Sequence, residues 1–254
     1  MAVYVCGDMH GNLYDTRKIT TKEWDVQKQL TQSDVLIQLG DFGWIWYEFG
    51  ENDEQEYYLD YLAGRNYTLA VVPGNHENYN IINSLPIEKK WGGQVRVLKR
   101  DIRKSLSQNR EVGHIYFLMR GEIYNIDGHS FWVMGGAMSI DKDYRIENES
   151  WWPQEMPDDC ELQNGITKLK ANNWKVDFVL THDCPTEVAK NILFRSPIDN
   201  KLARYFDNIS EELDFLEWHF GHYHQDRRVL IEKCNPERTQ IYQTHYRNRP
   251  LRIC

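Results

Sequence analysis

The stretch "TLAVVPGNHENY", residues 68–79, changes abruptly from apolar to polar residues at a Pro-Gly pair. Its first five residues form a short run that is mostly apolar and β-branched, which is typical of a buried strand. Asn75, His76 and Glu77 follow directly after the break. The stretch therefore predicts a strand that ends in a turn rich in groups able to do chemistry.

Three other apolar runs end in the same way. "AVYVC" (2–6) is followed by "GDMHGN", "DVLIQL" (34–39) by "GDFGW", and "DFVL" (177–180) by "THDCP". Between the three runs nearest the N-terminus, segments 22–30 and 53–63 carry apolar residues at near-helical spacing. Alternating strands and helices predict an α/β fold with a largely parallel sheet in this part of the chain.

In the later part of the chain, the apolar runs lie closer together. "IYFLM", "EIYNI" and "FWVMGG" follow one another closely, and Asp127-Gly128-His129 predicts a hairpin turn between the last two. "LEWHFG", "RRVLIEK" and "TQIYQTH" also have the pattern of antiparallel strands. We therefore expect two packed sheets with helices on the outside.

Composition limits the classes of function. The chain has 254 residues, of which 41% are hydrophobic, and we expect one domain over residues 1–254. Its 38 acidic residues exceed its 30 basic ones, giving a net charge of −8, which disfavours nucleic-acid and membrane partners. No apolar run has the length of a membrane span and the N-terminus lacks a signal-peptide pattern, so we expect a cytoplasmic protein.

The residues at the strand ends form a set of metal-ligand types. Loops beyond the carboxyl ends of parallel strands meet at one crevice, and alternate residues of "FGHYH" share one side of an extended chain. Carboxylates, imidazoles and an amide together suit manganese, iron, cobalt, nickel or zinc rather than calcium. The candidates are Asp8, His10, Asp41, Asn75, His76, His182, His222 and His224.

Each motif could also serve an ordinary structural role. "GDMHG" alone could be a turn, and Asp41 could cap a helix. Asn75 could occupy a left-handed turn position, and His182 could be a hydrogen-bonded core histidine. Core packing does not readily explain two histidines on one side of "GHYH". Five such segments together favour a metal site.

The order of the motifs resembles the calcineurin-like metallophosphoesterase family. Asp-x-His, Gly-Asp, Gly-Asn-His-Glu, a single Thr-His and Gly-His-x-His occur in sequence between Asp8 and His224. The resemblance implies a four-layer α/β/β/α sandwich of two mixed sheets flanked by helices. It also implies a metal-dependent phosphoric ester hydrolase with two divalent ions, manganese being expected first and iron, zinc, nickel or cobalt being alternatives.

The family pattern implies a role for each residue that matches it. Asp41 would bridge the two ions, and His76 would not bind metal but would stabilise the developing charge or protonate the leaving oxygen. A water held between the ions would attack phosphorus directly, and Glu77 would orient the turn or a histidine N–H. One ion would be held by Asp8, His10, Asp41 and His224, and the other by Asp41, Asn75, His182 and His222.

Departures from the family pattern point to a small substrate. The second motif continues as "GDFGWIWYEFG", without the acid and arginine of the protein phosphatases, and little sequence follows His224 for a DNA-binding domain. We therefore expect a small phosphate ester, of nucleotide type in the first place, and no long duplex nucleic acid. Base stacking and a phosphate contact would come from two aromatic-rich stretches, through Trp44, Trp46, Trp151, Trp152 and Arg145.

Two functions of other classes stay open at this point. One is a metal-binding interaction module with weak or no catalysis, against which the complete ligand set and His76 argue. The other is a hydrolase of non-phosphate esters that uses the same metal chemistry. Chromogenic phosphomonoesters, phosphodiesters and carboxyl esters would separate the three.

Overall fold

The computed structural model describes residues 1–103, 110–194, 196–234 and 237–254. Two mixed β-sheets pack face to face and helices lie on their outer faces, so the protein has an α/β fold with four layers. This confirms the fold that the order of motifs predicts. In the described parts of the chain, no helix is long and apolar enough to cross a membrane.

The first sheet has the spatial order β13-β1-β2-β3-β6-β5-β4. Strands β1, β2, β3 and β6 run parallel, whereas β13, β5 and β4 pair antiparallel with their neighbours. Its strands among the described residues are β1 (Val3–Cys6), β2 (Val35–Leu39), β3 (Thr68–Val72), β4 (Ile87–Lys90), β5 (Gly93–Arg103), β6 (Arg110–Leu118) and β13 (Leu251–Arg252).

The second sheet has the spatial order β11-β12-β10-β9-β8-β7. Four central strands are parallel, and β11 and β7 form antiparallel edges. Its strands within the described ranges are β7 (Ile123–Ile126), β8 (His129–Met134), β9 (Phe178–Thr181), β10 (Glu217–Phe220), β11 (Arg227–Cys234) and β12 (Glu237–Thr244).

Three apolar layers hold the sandwich together. One lies between the sheets and is built from alternate residues of both, such as Val5 and Ile37 on one side and Phe131 and Leu180 on the other. The other two lie under the helices, because each sheet also buries its outer face. The helices are α1 (Leu13–Thr16), α2 (Asp53–Ala63), α3 (Tyr79–Ser84), α4 (Asp159–Ala171), α5 (Thr186–Leu193) and α6 (Lys201–Glu212).

Several elements agree with the sequence patterns. Helix α2 spans the predicted segment 53–63, and Asn52 begins it by accepting a hydrogen bond from the Gln55 N–H. The hairpin between β7 and β8 turns at Asp127 and Gly128, whose φ angles of 54° and 81° suit a tight two-residue turn.

Two predictions about local structure are wrong. Segment 22–30 forms only a short 3₁₀ helix, Asp25–Gln29, because Trp24 is fixed in the core and the Gln27 amide donates to the carbonyls of Ile19 and Trp24. Strand β10 is parallel to both β9 and β12, because helices α5 and α6 cross over between β9 and β10. Only β11 and β12 form the expected antiparallel pair.

Candidate metal centre

Five loops bring their polar residues to the same end of the sandwich. They follow β1, β2 and β3 in the first sheet and β9 and β10 in the second. All five strands belong to the parallel parts of their sheets, so their carboxyl ends face one crevice. The loops carry Asp8 and His10, Asp41, Asn75 and His76, His182, and finally His222 and His224.

A first cluster combines two carboxylates with two imidazoles. Ligand atoms of Asp8, His10, Asp41 and His224 all lie within 4.8 Å of one another. The Nε2 atoms of His10 and His224 are 2.9 Å apart, and His224 Nε2 is 3.3 Å from Oδ2 of Asp8. One ion could therefore be in contact with all four side chains.

A second cluster shares Asp41 with the first. Ligand atoms of Asp41, His182 and His222 also lie within 4.8 Å of one another. His182 Nε2 is 3.1 Å from Asp41 Oδ1 and 3.1 Å from Asn75 Oδ1, so the amide oxygen faces the same space. The two clusters are joined through the Asp41 carboxylate.

An unsatisfied buried oxygen shows that the first cluster fits a cation. Asp8 is buried, and its Oδ2 has no hydrogen bond of good geometry among the described residues, although His224 Nε2 lies 3.3 Å away. A buried carboxylate oxygen without a donor is costly, and a metal ion at this position would satisfy it. The mixed carboxylate, imidazole and amide donors suit a borderline divalent ion.

The surroundings of the second cluster favour positive charge. Nδ1 of the buried His182 donates to the Leu39 carbonyl oxygen at 2.7 Å, which turns Nε2 toward two oxygen acceptors. Burial alone would lower the pKa of His182, but the Asp41 carboxylate raises it to about 10. Burial opposes ionisation of Asp41, yet His182 and the neighbouring histidines hold the pKa of Asp41 well below its usual range. The crevice thus favours a positive charge where Nε2 meets these oxygens; in the metal-free chain a proton on Nε2 supplies it, and a bound ion would have to replace that proton.

Unusual backbone geometry accompanies the ligand-type residues. Non-glycine residues seldom adopt positive φ, and such angles cluster at functional sites because the surrounding structure must hold them. Gly74 shows how tight the packing is, since a Cβ on it would lie 2.2 Å from the Asp41 nitrogen. The candidates with positive φ are His10 (49°), Asp41 (52°), His222 (67°) and His224 (50°).

A buried chain of hydrogen bonds orients the Asn75 amide. Asn75 Nδ2 donates to Ser139 Oγ at 3.0 Å, and Ser139 Oγ donates to Glu155 Oε2 at 2.5 Å. Glu155 also accepts from the Ser139 backbone N–H, and both residues are buried. Holding the NH₂ group in this way directs the amide oxygen into the crevice. Sequence reasoning missed both residues, although Ser139 follows the Gly-Gly end of β8.

Among the described residues, Glu77 accepts from backbone N–H groups and not from a histidine. Its carboxylate accepts hydrogen bonds from the backbone N–H groups of Phe42, Gly43 and Gly74. Burial and the nearby Asp41 carboxylate raise the pKa of Glu77 to about 7. Glu77 therefore ties the loop after β2 to the loop after β3, which is the first of the two roles expected for it.

His76 lies beside the clusters without belonging to either. Its backbone N–H donates to Asp41 Oδ1 at 2.8 Å, alongside that of Asn75 at 2.9 Å. Its half-buried ring stands edge-on to the His10 ring, with 5.6 Å between the ring centres. The imidazole is thus adjacent to the first cluster and remains accessible.

Lys18 and Tyr223 support the loops in ways that sequence reasoning did not identify. The buried Lys18 ammonium donates to the carbonyl oxygens of Asp8 and Tyr246, which fixes the first loop. The Tyr223 hydroxyl donates to Asp183 Oδ1 at 2.6 Å and so joins the loops after β9 and β10.

The expectation of a stacking surface has to be corrected for two of four tryptophans. Trp44 is 2% exposed, stacks on Tyr58 at 4.0 Å and donates to Thr16 Oγ1, so its ring is part of the core. Trp152 is 1% exposed and packs edge-on against Trp46. Trp46 and Trp151 are only half-buried and keep accessible surface.

Arg145 is engaged within its own loop. Its guanidinium pairs with Asp141 Oδ2 at 2.7 Å and donates to the Ser150 carbonyl oxygen at 3.1 Å. Binding phosphate as expected would require this arginine to share or give up the Asp141 contact.

Comparison with known proteins agrees with the geometry. A family model described as calcineurin-like phosphoesterase matches residues 1–226. The matched range contains every residue of both clusters. A search among curated proteins finds no match to the chain.

Proposed function

Because the chain belongs to the calcineurin-like phosphoesterase family, we propose that it hydrolyses a small phosphate ester with two divalent metal ions. The family indicates metal-dependent phosphoester hydrolysis as the general chemistry. The observation that carries the binuclear form of the proposal is that Asp41 belongs to both ligand clusters. A carboxylate shared in this way can hold two ions side by side, as two-metal hydrolysis requires.

The ligands divide between the ions as the two clusters do. Manganese is the ion we propose first, with iron, zinc, nickel or cobalt as alternatives that the same donors could hold. Four protein ligands for each ion leave positions for water and a substrate oxygen. Asp8, His10, Asp41 and His224 would hold one ion, and Asp41, Asn75, His182 and His222 the other.

Two such ions would lower the pKa of a water toward neutrality and neutralise charge on the phosphate oxygens. The chain's contribution is a set of ligands fixed before substrate arrives. Asp41 Oδ1 accepts from two backbone N–H groups, His182 Nδ1 is held by the Leu39 carbonyl, and Asn75 is held by Ser139. Ligands restrained in this way need little reorganisation during the reaction.

His76 is the residue we propose as the catalytic proton donor. Its backbone is tied to Asp41, and its ring is half-buried next to His10. An imidazole in this place can donate a proton to the leaving oxygen or stabilise charge on the phosphoryl group.

The substrate we propose is small and of nucleotide type. The net charge of −8 disfavours long polyanions such as duplex DNA, while two bound dications would make the crevice locally positive. Trp46 and Trp151 are the aromatic candidates that retain accessible surface for a base. Monoester and diester substrates both fit this chemistry.

An activity screen tests the proposal. Protein reconstituted with manganese should hydrolyse nitrophenyl phosphate or bis(nitrophenyl) phosphate, and a chelator should abolish the activity. Nitrophenyl acetate serves as the non-phosphate control. Preferential hydrolysis of the acetate would favour the carboxyl-ester alternative, and metal binding without hydrolysis of any of the three would favour the interaction module.

A further inference from the structure

A basic cavity of about 660 Å³ opens beside the first ligand cluster. Four cationic side chains and two acidic ones line it, in a chain whose net charge is −8. Local positive charge of this kind is the usual requirement for an anionic ligand. The charged lining residues are Arg17, Lys18, Arg247 and Arg249, with Asp15 and Glu23.

Two contacts link the lining of the basic cavity to the first ligand cluster. Lys18 lines the cavity, and its ammonium donates to the carbonyl oxygens of Asp8 and Tyr246. The Tyr246 ring stacks on the His224 ring with 4.5 Å between centres and 7° between planes. A single aromatic ring thus separates His224 from the residues that follow Tyr246.

Arg247 is an exposed cation beside this connection. Its guanidinium lies over the Tyr246 ring at 5.1 Å and over the Tyr14 ring at 5.4 Å. Within the described ranges it forms no ion pair with a carboxylate, and Tyr14 is 64% exposed. The two rings and a side-chain hydrogen bond to Tyr246 restrain the guanidinium, which stays exposed and has further N–H groups for a ligand.

The backbone of the turn that carries Arg247 is fixed from beneath. The N–H groups of Tyr246, Arg247 and Asn248 all donate to the Asp226 carboxylate, at 2.9, 3.0 and 3.1 Å. These three donors are therefore already used, and a ligand would meet the side chains. A restrained turn also reduces the entropy lost when Arg247 binds a ligand.

Ion pairing within the basic cavity does not account for its charge. Glu23 contacts Arg17 at 3.0 Å and Arg249 at 3.9 Å, so one carboxylate is shared between two guanidinium groups. Exposed pairs of this kind contribute little to stability. The lining thus keeps more cationic than acidic side chains, four against two, with the Asp226 carboxylate used by the backbone of the turn.

We propose that the basic cavity binds a second phosphoryl group of the substrate while the ester group to be cleaved lies at the ligand clusters. Guanidinium groups match phosphate oxygens with paired hydrogen bonds, which favours phosphate over a single carboxylate. The substrate class is then a compound with two or more phosphate groups, such as a nucleoside bisphosphate or polyphosphate. This inference rests on the proposed phosphoesterase function.

Competition by two matched nucleotides tests the inference in the metal-loaded enzyme. Adenosine 3′,5′-bisphosphate and adenosine 5′-monophosphate differ by one phosphoryl group, and each is measured as an inhibitor of nitrophenyl phosphate hydrolysis. The bisphosphate should inhibit at roughly tenfold lower concentration or better, the effect of one additional charge-assisted contact. Equal inhibition constants for the two nucleotides would overturn the inference.

Arg247→Gln and a control variant locate the effect. Arg247→Gln should weaken inhibition by the bisphosphate by roughly tenfold or more and weaken inhibition by the monophosphate much less. Arg247→Lys should restore part of the difference between the two nucleotides. Arg204→Gln is the control, because Arg204 lies on helix α6 and pairs with Asp199 away from the basic cavity. An equal loss in Arg204→Gln would mean that overall charge, and not the cavity, sets the preference.

A binding measurement separates failure of this inference from failure of the proposed function. Inorganic tripolyphosphate is titrated into the chelator-treated 254-residue chain by calorimetry, where no turnover is needed. Tighter binding to the native chain than to Arg247→Gln would support the cavity even if no ester were hydrolysed. Normal ester hydrolysis with identical tripolyphosphate affinities in both proteins would retain the proposed function and reject the inference.

Discussion

The Asn75 amide donates through Nδ2 to Ser139 Oγ, 3.0 Å away, and its other end points at His182 Nε2. Ser139 is fixed in turn by Glu155 through two hydrogen bonds. A neutral amide binds a cation only through its oxygen, so the orientation of this side chain decides whether it can be a ligand. Mutating a residue that restrains a metal ligand commonly lowers metal affinity by about 10–100-fold.

Replacing Ser139 should therefore weaken metal binding without removing a ligand. Ser139→Ala leaves Asn75 Nδ2 without its acceptor, and we expect affinity for manganese to fall roughly 10–100-fold. The measurement is titration of the chelated chain with manganese, with Ser33→Ala, an exposed loop serine, as the control. Unchanged affinity in Ser139→Ala would show that Asn75 needs no restraint from Ser139.

His76→Ala should separate catalysis from metal binding. Because His76 lies outside both clusters, the variant should keep its metal and lose kcat by roughly 10²–10⁴-fold, the usual effect of removing a positioned proton donor. The loss should be smaller for nitrophenyl phosphate, whose leaving group needs little protonation. His114→Ala, on the far part of the first sheet, is the control. Loss of metal from His76→Ala would instead identify His76 as a ligand.

Acid should destabilise the protein partly through His245. Burial, His219 and Lys18 lower the pKa of His245 well below the value near 6.5 of an unfolded chain. The unfolded state then binds the extra proton, so the stabilisation is complete above about pH 7.5 and is lost as the pH falls below about 6.5. For one such group the free energy of unfolding should fall by at most about 1.4 kcal/mol between pH 7.5 and 5.5.

His245→Gln should flatten this pH dependence. Glutamine can still form the hydrogen bond that joins His245 Nε2 to His219 Nδ1, but it does not titrate. Urea unfolding of the chelated native and variant chains at both pH values gives the pH dependence of the free energy of unfolding for each. The contributions of the other titrating groups are common to both proteins and cancel in the difference. Parallel pH profiles for the two proteins would show that His245 makes no such contribution.

Of the four tryptophans predicted to stack on a base, Trp46 and Trp151 keep accessible surface. If either ring stacks on a base, its replacement by alanine should cost about 1–3 kcal/mol of nucleotide binding and raise KM for a nucleotide, with a smaller change for nitrophenyl phosphate. Trp91→Ala, at the β4–β5 turn of the first sheet, is the control. Equal KM values for nucleotides in the native chain and both variants would remove the stacking hypothesis.

The sequence is most informative where one pattern, an apolar strand followed by a residue of metal-ligand type, repeats along the chain. Asp8, Asp41, Asn75 and His182 can be predicted as neighbours because each follows an apolar strand, and parallel strands end at one edge of a sheet. The bridging position of Asp41 comes from family resemblance, since no local pattern shows that one carboxylate meets two groups of histidines.

Further features depend on tertiary contacts that local patterns do not encode. Ser139 and Glu155 act on Asn75 from a loop more than sixty positions later, and neither belongs to a motif. Trp44 follows Asp41 in sequence, which favours a surface for ligands, but packing against Tyr58 decides its position. The apolar pattern of β10 does not show its direction, which the crossover helices before it determine.

Metal content per chain, measured by elemental analysis in native protein and in Asp41→Asn, tests the shared-carboxylate centre most directly. After reconstitution with manganese and removal of free metal, the native chain should contain about two ions. Asp41→Asn should lose both ions and nearly all phosphoesterase activity, whereas Asp34→Asn, a substitution in the loop before β2, should lose neither. A fully active native chain with no metal, or Asp41→Asn with two ions and normal turnover, would contradict the account.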